Sequence, residues 1–516
     1  MRAQRFFCLL TTMIVAIRGL SAVLIVGCGI TIATSSTGHC DGTDTAAFDS
    51  FVESTHNKYE VPGAAVAIIE NDNVVFIKGY GVRELGKSEA VDEDTIFQIA
   101  SVTKLFTAAV LGILVDQGNL QWDDTIGKLL PKFAMKNSYA SKHASLIDML
   151  AHRSGLKAYD GDVIGRLGYT NAEIIRRVRF MKSGATFREE SQYSNMGFFI
   201  AGEAVAHSDP NYTTWEEAVL NRLLQPIGMT RSSPYYKGLN LDNNHASGHR
   251  GHPDDIYVVT PPEDPLPAAG QIVSTASDMA LFMKMLLGEG SLGDGTQILK
   301  SETVKKLFTP SMVEGAGVPP QYGESGNTNG LGCNNYHFQG YEIIEKNGAL
   351  NGSRSIITLV PEKKIGIIVL ANLNMTLFPE AVRAYFLEMY LGTSRYNLQD
   401  DINALQEAWD EFDKQPVPPD NQSPTTLALK KYAGVYKSNL YGRITITFSD
   451  DTLYAKAGPA GYPAKLTHHD SDTFLLQASR EGDENIFDLI EFSTTRDSVV
   501  TGFRGESLGR FKKIAH

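Results

Sequence analysis

The stretch Phe97-Gln98-Ile99-Ala100-Ser101-Val102-Thr103-Lys104 leads straight into an apolar run, and the fold is read outward from it. Leu105, Phe106, Ala108, Ala109, Val110, Leu111, Ile113, Leu114 and Val115 leave no polar face, which predicts a fully buried helix. Asp116-Gln117-Gly118 closes it, with the glycine placed for a C-cap. Ser101 then stands at the helix N-terminus, and Lys104 returns to the same face one turn on. A serine hydroxyl needs a neighbouring base to become a nucleophile. A lysine desolvated against such a helix has its pKa lowered toward that role. The positive end of the helix dipole favours negative charge developing at Ser101.

The spacing alone is weak, because Ser-x-x-Lys recurs at Ser154 and Lys157. There Gly155 follows at once and Tyr159-Asp160-Gly161-Asp162 reads as a loop, so the lysine need not return over the serine. The rest of the chain has to decide between the two.

At 516 residues, two or three domains are expected. Apolar residues make up 42% and charged residues 21%, the balance of a globular chain with a real core. A net charge of −12 with no basic cluster argues against nucleic acid or an anionic membrane as the main partner. The first forty residues differ from the rest. Arg2 and Arg5 precede the apolar run Phe6 to Ile17, Arg18 interrupts it, and a second run spans Leu20 to Ile32. This reads first as a cleaved secretory signal, with Thr31-Ile32-Ala33 as small residues before a cleavage point. An uncleaved membrane anchor, or a lipoprotein acylated at Cys28, stays open. Secretion is therefore the expected localisation, and membrane contact is expected only if this segment is retained. The four cysteines, Cys8, Cys28, Cys40 and Cys333, make neither a disulfide scaffold nor a Cys/His metal site, and a Cys40–Cys333 bridge is compatible with secretion but not required. Sequons occur at Asn211, Asn351, Asn374 and Asn421.

Taken in order, Phe48, Phe51, Val52 and Thr55 predict an amphipathic helix over about 46–59. A hairpin follows, from Ala64–Ile69 to Val74–Ile77. Helices and long loops then run to about residue 310. Within them Thr170-Asn171-Ala172-Glu173 reads as a capping box, and Thr275-Ala276-Ser277-Asp278 as another helix start. Strands return at Ser355–Val360 and Ile365–Leu370, and a helix begins at Phe378. Early and late strands around a helical middle predict one antiparallel sheet flanked by helices, with a helical region inserted. Pro416, Pro418, Pro419 and Pro424 mark a linker, beyond which short, closely spaced strands (434–436, 444–448, 453–455, 474–476 and 486–490) predict a small all-β domain. The expected division is a signal or anchor over 1–36, a catalytic domain over 43–413, a linker over 414–427 and a barrel over 428–516. The aromatic residues of that last part are expected in the barrel core.

Three motifs then stand in order: Ser101-Val102-Thr103-Lys104, Tyr193-Ser194-Asn195 before an apolar helix, and Lys346-Asn347-Gly348-Ala349 before the late strands. Partial copies at Tyr169–Asn171, Lys182–Gly184 and Lys456–Gly458 lack that setting. The ordered set resembles the serine β-lactamase and penicillin-binding-protein superfamily, closest to class C β-lactamases and their esterase and peptidase relatives, over about 45–400. Leu150-Ala151-His152-Arg153-Ser154-Gly155-Leu156 and Gly270-Gln271-Ile272-Val273-Ser274 strengthen the likeness. The C-terminal part resembles the lipocalin-like β-barrel attached to many such proteins.

The resemblance implies a hydrolase with no metal and no organic cofactor, acting on a small molecule or peptide. It implies Ser101 as the acylated nucleophile, with Lys104 and Tyr193 sharing the proton work, Tyr193 as a phenolate near two cations. Asn195, Lys346, Gly348 and Ala349 form the implied substrate-binding set. Asn195 would bond the substrate amide and Lys104, and Lys346 would set the electrostatics of Tyr193 or hold a carboxylate. The N–H groups of Ser101 and Ala349 would make an oxyanion hole. His152 reads as a structural hydrogen-bonder. Two departures stand out: Asn347 replaces the usual Thr or Ser, and Cys333 stands where relatives often carry Trp, in the pocket wall. A glycan on Asn351 would crowd the cleft. These features keep a second expectation in play, a secreted binding or extracellular-matrix protein on the same fold.

Overall fold

The computed structural model describes residues 44–236, 242–253, 255–260, 266–314, 325–393, 398–412, 416–479 and 487–514. The expected leader and Cys40 lie outside them. The amphipathic start of the chain is helix α1 (Thr45–Lys58), and the hairpin is strands β1 (Gly63–Glu70) and β2 (Asn73–Gly81). β1 reads Gly-Ala-Ala-Val-Ala-Ile-Ile-Glu, with no polar residue before its end. A strand apolar on both sides must be covered on both faces, and it is. Ala65, Ala67 and Ile69 enter one core, Ala64, Val66 and Ile68 the other.

The apolar run after Ser101 is α2 (Thr103–Asp116), buried from Thr103 to Leu114 as predicted, and Gly118 after it takes a left-handed φ of +77°. The inserted region carries α3 (Asn171–Arg177), opened by the Thr170/Glu173 capping box, α4 (Asn195–Ser208) and α5 (Ala276–Leu287), capped by Thr275. Phe106 of α2 stacks on Phe282 of α5 at 3.9 Å between ring centroids. The late strands are β3 (Met312–Val313), β4 (Ser325–Asn329), β5 (Asn334–Phe338), β6 (Tyr341–Leu350), β7 (Ser353–Val360) and β8 (Ile365–Ala371). With the hairpin they form one eight-stranded sheet in the order β2-β1-β8-β7-β6-β5-β4-β3, antiparallel at every pairing. α6 (Phe378–Leu391) packs with α1 on one face, through Phe48, Val52, Phe378 and Val382. The inserted helices cover the other. Chain ends joined at β1 and β8 thus bracket the helical insertion, as expected.

Two expectations about strands are corrected. Lys346-Asn347-Gly348 lies inside β6 rather than before the late strands, and β4, β5 and β6 all precede the strand read as the first of them. These strands carry Asn, Glu and Lys at buried positions (Asn335, Glu345 and Lys346), so they lack the apolar pattern that betrays a strand. The C-terminal part is a closed eight-stranded barrel of β9 (Gly434–Ser438), β10 (Gly442–Ser449), β11 (Thr452–Ala457), β12 (Tyr462–Asp470), β13 (Thr473–Ala478), β14 (Phe487–Thr494), β15 (Val500–Gly505) and β16 (Gly509–Ile514). β12, β15 and β16 escape a reading by apolar runs. In Gly509-Arg510-Phe511-Lys512-Lys513-Ile514 only alternate residues face inward. Eight strands make an interior narrow enough for side chains to fill. Tyr432, Tyr436, Phe474, Phe492, Phe503 and Phe511 take that space, with Phe474 edge-on to Phe492 at 5.5 Å and Phe503 stacked on Phe511 at 4.7 Å.

Asp488 of β14 is buried against the β15–β16 turn, where it accepts from the N–H groups of Ser507 and Leu508. Burial outweighs those bonds and pushes its carboxyl up to about 6. A carboxyl held above its unfolded value of about 4 binds its proton more tightly when folded, so its contribution falls as pH rises from about 4 to about 6. The full cost is about 3 kcal/mol. Asp488→Asn should therefore gain stability relative to the parent as pH rises through that window. Urea unfolding of both proteins at pH values spanning it measures this, and identical pH dependence would refute the burial argument.

Candidate functional site

The backbone must turn sharply from the two-residue ladder Phe97–Gln98, paired with Val273–Ser274, into α2. It does so at Ala100, whose φ of +48° lies in the left-handed region that an alanine enters at a cost of about 1–2 kcal/mol. Bonds on both sides hold the kink: Ile99 N–H donates to the Ile272 carbonyl at 3.1 Å, and Ser355 Oγ donates to the Ile99 carbonyl at 2.7 Å. Ser101 follows in a single 3₁₀ turn, Ala100–Val102, half-buried.

Lys104 is fully buried, and an ammonium out of water must find acceptors. Its Nζ donates to Ser101 Oγ at 3.0 Å, Asn195 Oδ1 at 2.8 Å and the Ala269 carbonyl at 2.7 Å. Tyr193 OH reaches Ser101 Oγ at 2.8 Å from the opposite direction. Asn195 opens α4, whose N-cap Ser194 accepts from Gly197 N–H at 3.1 Å, and Asn195 Nδ2 donates to Asp162 Oδ2 at 3.0 Å. Ser101, Lys104, Tyr193 and Asn195, spread over some ninety residues of sequence, thus form one hydrogen-bonded cluster.

Lys346 completes it from β6. Its Nζ stands 5.0 Å from the centre of the Tyr193 ring, against 4.9 Å for Lys104 Nζ, and contacts Asn334 Oδ1 at 3.4 Å. Burial first, and then the nearby Lys104 charge, pull the Lys346 ammonium below its ordinary range, with Tyr193 and Glu314 acting the other way. Gly348 lies on the same side of the strand. A Cβ there would fall 2.5 Å from the Ile99 carbonyl oxygen and 2.9 Å from Ser101 N, so glycine lets β6 touch the serine's backbone. Ala349, next in β6 and opposite Arg354, is exposed.

His152 touches Tyr193 but not Ser101. Its ring lies 4.6 Å from the tyrosine ring, and Nδ1 accepts from Ser194 N–H at 3.1 Å. Burial, then Lys346 and Lys104, keep it well below the ordinary histidine range and so neutral. The segment around it is pinned to the Tyr193 loop by Gln192 N–H to the His152 carbonyl (2.8 Å) and Arg188 N–H to the Arg153 carbonyl (2.9 Å). Beneath both, the fully buried Asp148 accepts from Arg153 Nε at 2.7 Å and Arg188 Nη2 at 2.7 Å. Asp148, Asp162, Ser355 and the Ala269 carbonyl are the residues that sequence reading missed. Asp162 carried a signal as part of a loop rich in Asp and Gly, and Asp148 as the acidic residue of a helix-start pattern opened by Ser145.

The structure bears on three further features of the sequence. Cys333 is buried with Sγ against the Leu307 carbonyl, its thiol pushed up to about 12 by burial. Asn351 is 9% exposed, with Oδ1 accepting from Arg250 Nη1 at 3.4 Å. The Ser154–Lys157 copy of the first motif is a turn: Ser154 Oγ accepts from Leu156 N–H, and Lys157 N–H bonds the Lys182 carbonyl.

An antiparallel sheet with inserted helices, carrying a serine, a buried lysine and a tyrosine at hydrogen-bond distance, is the class of protein that the three motifs pointed to. Residues 48–389 match the β-lactamase family, and the chain belongs to it. Residues 418–511 match a second family, described as a domain of unknown function (DUF3471). An unguisins hydrolase of Aspergillus campestris is 26% identical over 458 residues, 81% of each chain. Protein flp of Staphylococcus aureus is 27% identical over 343 residues, covering 65% of this chain and 64% of its own. Among solved structures, an octameric penicillin-binding protein homologue from Pyrococcus abyssi aligns with a TM-score of 0.60 at 22% identity, over 91% of this chain and 100% of that one. A class C β-lactamase aligns at 0.56 and 21% identity, over 69% and 100%. These two likenesses concern the fold.

Gly348→Ala tests the close approach of β6 to Ser101. With the Ile99 backbone in the way, the variant should lose about 1–3 kcal/mol of stability, as overpacked sites do. Chemical unfolding measures it, and a variant as stable as the parent would show that the two segments are not held in contact.

Proposed function

We propose that this chain is a serine hydrolase that forms an acyl-enzyme on Ser101 and acts on a peptide, amide or ester. One observation carries the reading. Ser101 Oγ is held at 3.0 Å from Lys104 Nζ and 2.8 Å from Tyr193 OH, while β6 closes on the serine's own N–H. Either partner, once deprotonated, accepts the Ser101 proton as Oγ attacks the substrate carbonyl. Negative charge passing through Tyr193 meets two ammonium groups, those of Lys104 and Lys346. The same tyrosine is placed to hand a proton to the leaving group as the tetrahedral intermediate collapses. Water then releases the acyl group and restores the serine. The oxyanion of that intermediate is assigned to the N–H groups of Ser101 and Ala349, and the substrate amide to Asn195.

Lys346 is 3% exposed and lies over the Tyr193 ring, a position that favours its electrostatic role over capture of a substrate carboxylate. The unguisins hydrolase of Aspergillus campestris, similar over 81% of this chain, supports hydrolysis as the reaction. Secretion is part of this proposal and rests on the leader sequence alone. The alternative of a matrix or binding protein rests on Asn347 and the nearby Asn351 sequon, while the Ser101 cluster favours the hydrolase.

Labelling of the full chain with a fluorophosphonate, read by intact mass and peptide mapping, tests the reading. One adduct on Ser101 is expected, and none in Ser101→Ala. Lys104→Ala and Tyr193→Phe should each slow labelling at least about 100-fold, the usual worth of a positioned base. A folded parent that takes no adduct, or takes it elsewhere, sinks the assignment.

A further inference from the structure

The barrel does not merely follow the catalytic domain. Two of its turns grip one segment, residues 157–168, whose other side supports the Ser101 cluster. Within that segment Tyr159 N–H donates to the Tyr193 carbonyl at 3.1 Å, and the two rings lie 5.3 Å apart. Tyr159 holds a φ of +57°, an unusual conformation for a large side chain. Asp162 takes the second amide hydrogen bond of Asn195, whose oxygen holds Lys104. Between them Asp160 Oδ2 accepts from Lys182 N–H at 2.8 Å.

From the barrel side, the β11–β12 turn approaches Leu167, with Ala460 N–H donating to the Leu167 carbonyl at 3.0 Å. A Cβ on Gly458 would lie 2.4 Å from that same oxygen. The β9–β10 turn makes the deeper contact. Arg177 Nη1 donates to the carbonyls of Asn439 (2.9 Å) and Leu440 (2.8 Å), while its guanidinium stacks on Tyr169 at 3.8 Å. Tyr169 OH donates to the Tyr441 carbonyl at 3.2 Å. Tyr441 itself is 1% exposed, its ring parallel to that of Phe511 at 6.4 Å and its hydroxyl directed at Asp160 Oδ1 at 3.5 Å. A phenol in a hairpin turn is ordinarily exposed. Here it is buried between two domains, and a buried hydroxyl without its partner is costly.

We propose that the barrel is a positioning element of the active site, and that Tyr441 is the residue through which it acts. Tyr441 seats Asp160, and so fixes the Tyr159–Asp162 segment that orients Tyr193 and Asn195. Burial raises the Asp160 carboxyl above its ordinary range, which makes the phenol's bond to it more consequential in so dry a place. The proposal deepens the serine-hydrolase reading and rests on it for its effect on rate. The contact itself stands independently of chemistry.

The test uses the full chain as parent, Tyr441→Phe, Asp160→Asn and the double variant. Tyr441→Phe keeps the ring against Phe511 and removes only the hydroxyl. Fluorophosphonate labelling at Ser101 is followed across pH, and hydrogen exchange is read at the Tyr159 and Ser194 amides. Each single variant should slow labelling about fivefold, the worth of one lost hydrogen bond. Each should also displace the pH profile, because the Lys104 environment loosens with Asn195, and should speed exchange at Tyr159. The double variant should be no slower than the worse single, the mark of two residues sharing one interaction. Parental labelling, pH profile and exchange in folded Tyr441→Phe would overturn the proposal, as would effects that multiply in the double. If the parent takes no label, the hydrolase reading fails by itself. Exchange then decides: faster exchange at Tyr159 in both single variants upholds the positioning contact, and unchanged exchange rejects it.

Discussion

The site depends on one buried charge. Lys104 grows from a helix that is buried and largely apolar around it, and a desolvated ammonium is tolerated only where acceptors surround it. Three come from separate parts of the chain: the serine one turn back, Asn195 at the start of α4, and the Ala269 carbonyl ahead of α5. Satisfying this one group therefore registers Ser101, the inserted helices and the segment leading back to the sheet. Loss of any acceptor would leave a charge uncompensated in a dry setting. The requirement is both a stability constraint and the means by which the geometry of the cluster is specified.

Close backbone approach supplies the second constraint. The serine turn is wedged between α2 and β6, and the absence of a side chain at Gly348 is what allows contact. Ser355 on the neighbouring strand bonds the Ile99 carbonyl from below and fixes the kink at Ala100. Rigid strands covered on both faces make a suitable base for this, since β7 and β8 are buried over their whole length. The barrel adds a third support, reaching the cluster through a single layer of chain at Tyr159–Asp162. A filled aromatic interior suits it to that mechanical role.

Much of the architecture was legible because it follows from local chemistry. The apolar run of α2, the hairpin β1–β2, the capping residues Thr170 and Thr275 and the strands β7 and β8 all announce themselves by pattern and propensity. Strands β4–β6 did not, since their buried positions hold Asn, Glu and Lys that become acceptable only when Tyr336, Thr358 and Arg383 meet Glu345 across the sheet. The repeated motif fragments behave similarly. Ser154–Lys157, Tyr169–Asn171 and Lys182 match short patterns of a catalytic serine protein, yet they lie in or against the segment that docks the barrel.

The sequence by itself determined the three motifs, their order, and the apolar helix that would desolvate Lys104, because residue type and helical spacing are local properties. It also determined that a β-rich unit follows a proline-marked linker. Only the tertiary structure decided which lysine meets which serine, since Tyr193 meets Ser101, Asn195 meets Lys104 and Lys346 meets Tyr193 through contacts separated by about 90 to 155 residues. It alone decided that Asn351 and Cys333 are buried, that His152 accepts from a backbone amide, and that Tyr441 meets Asp160 beneath the Tyr159–Asp162 loop. Burial and hydrogen-bond partnership belong to pairs of distant residues, and no pattern within either segment encodes them.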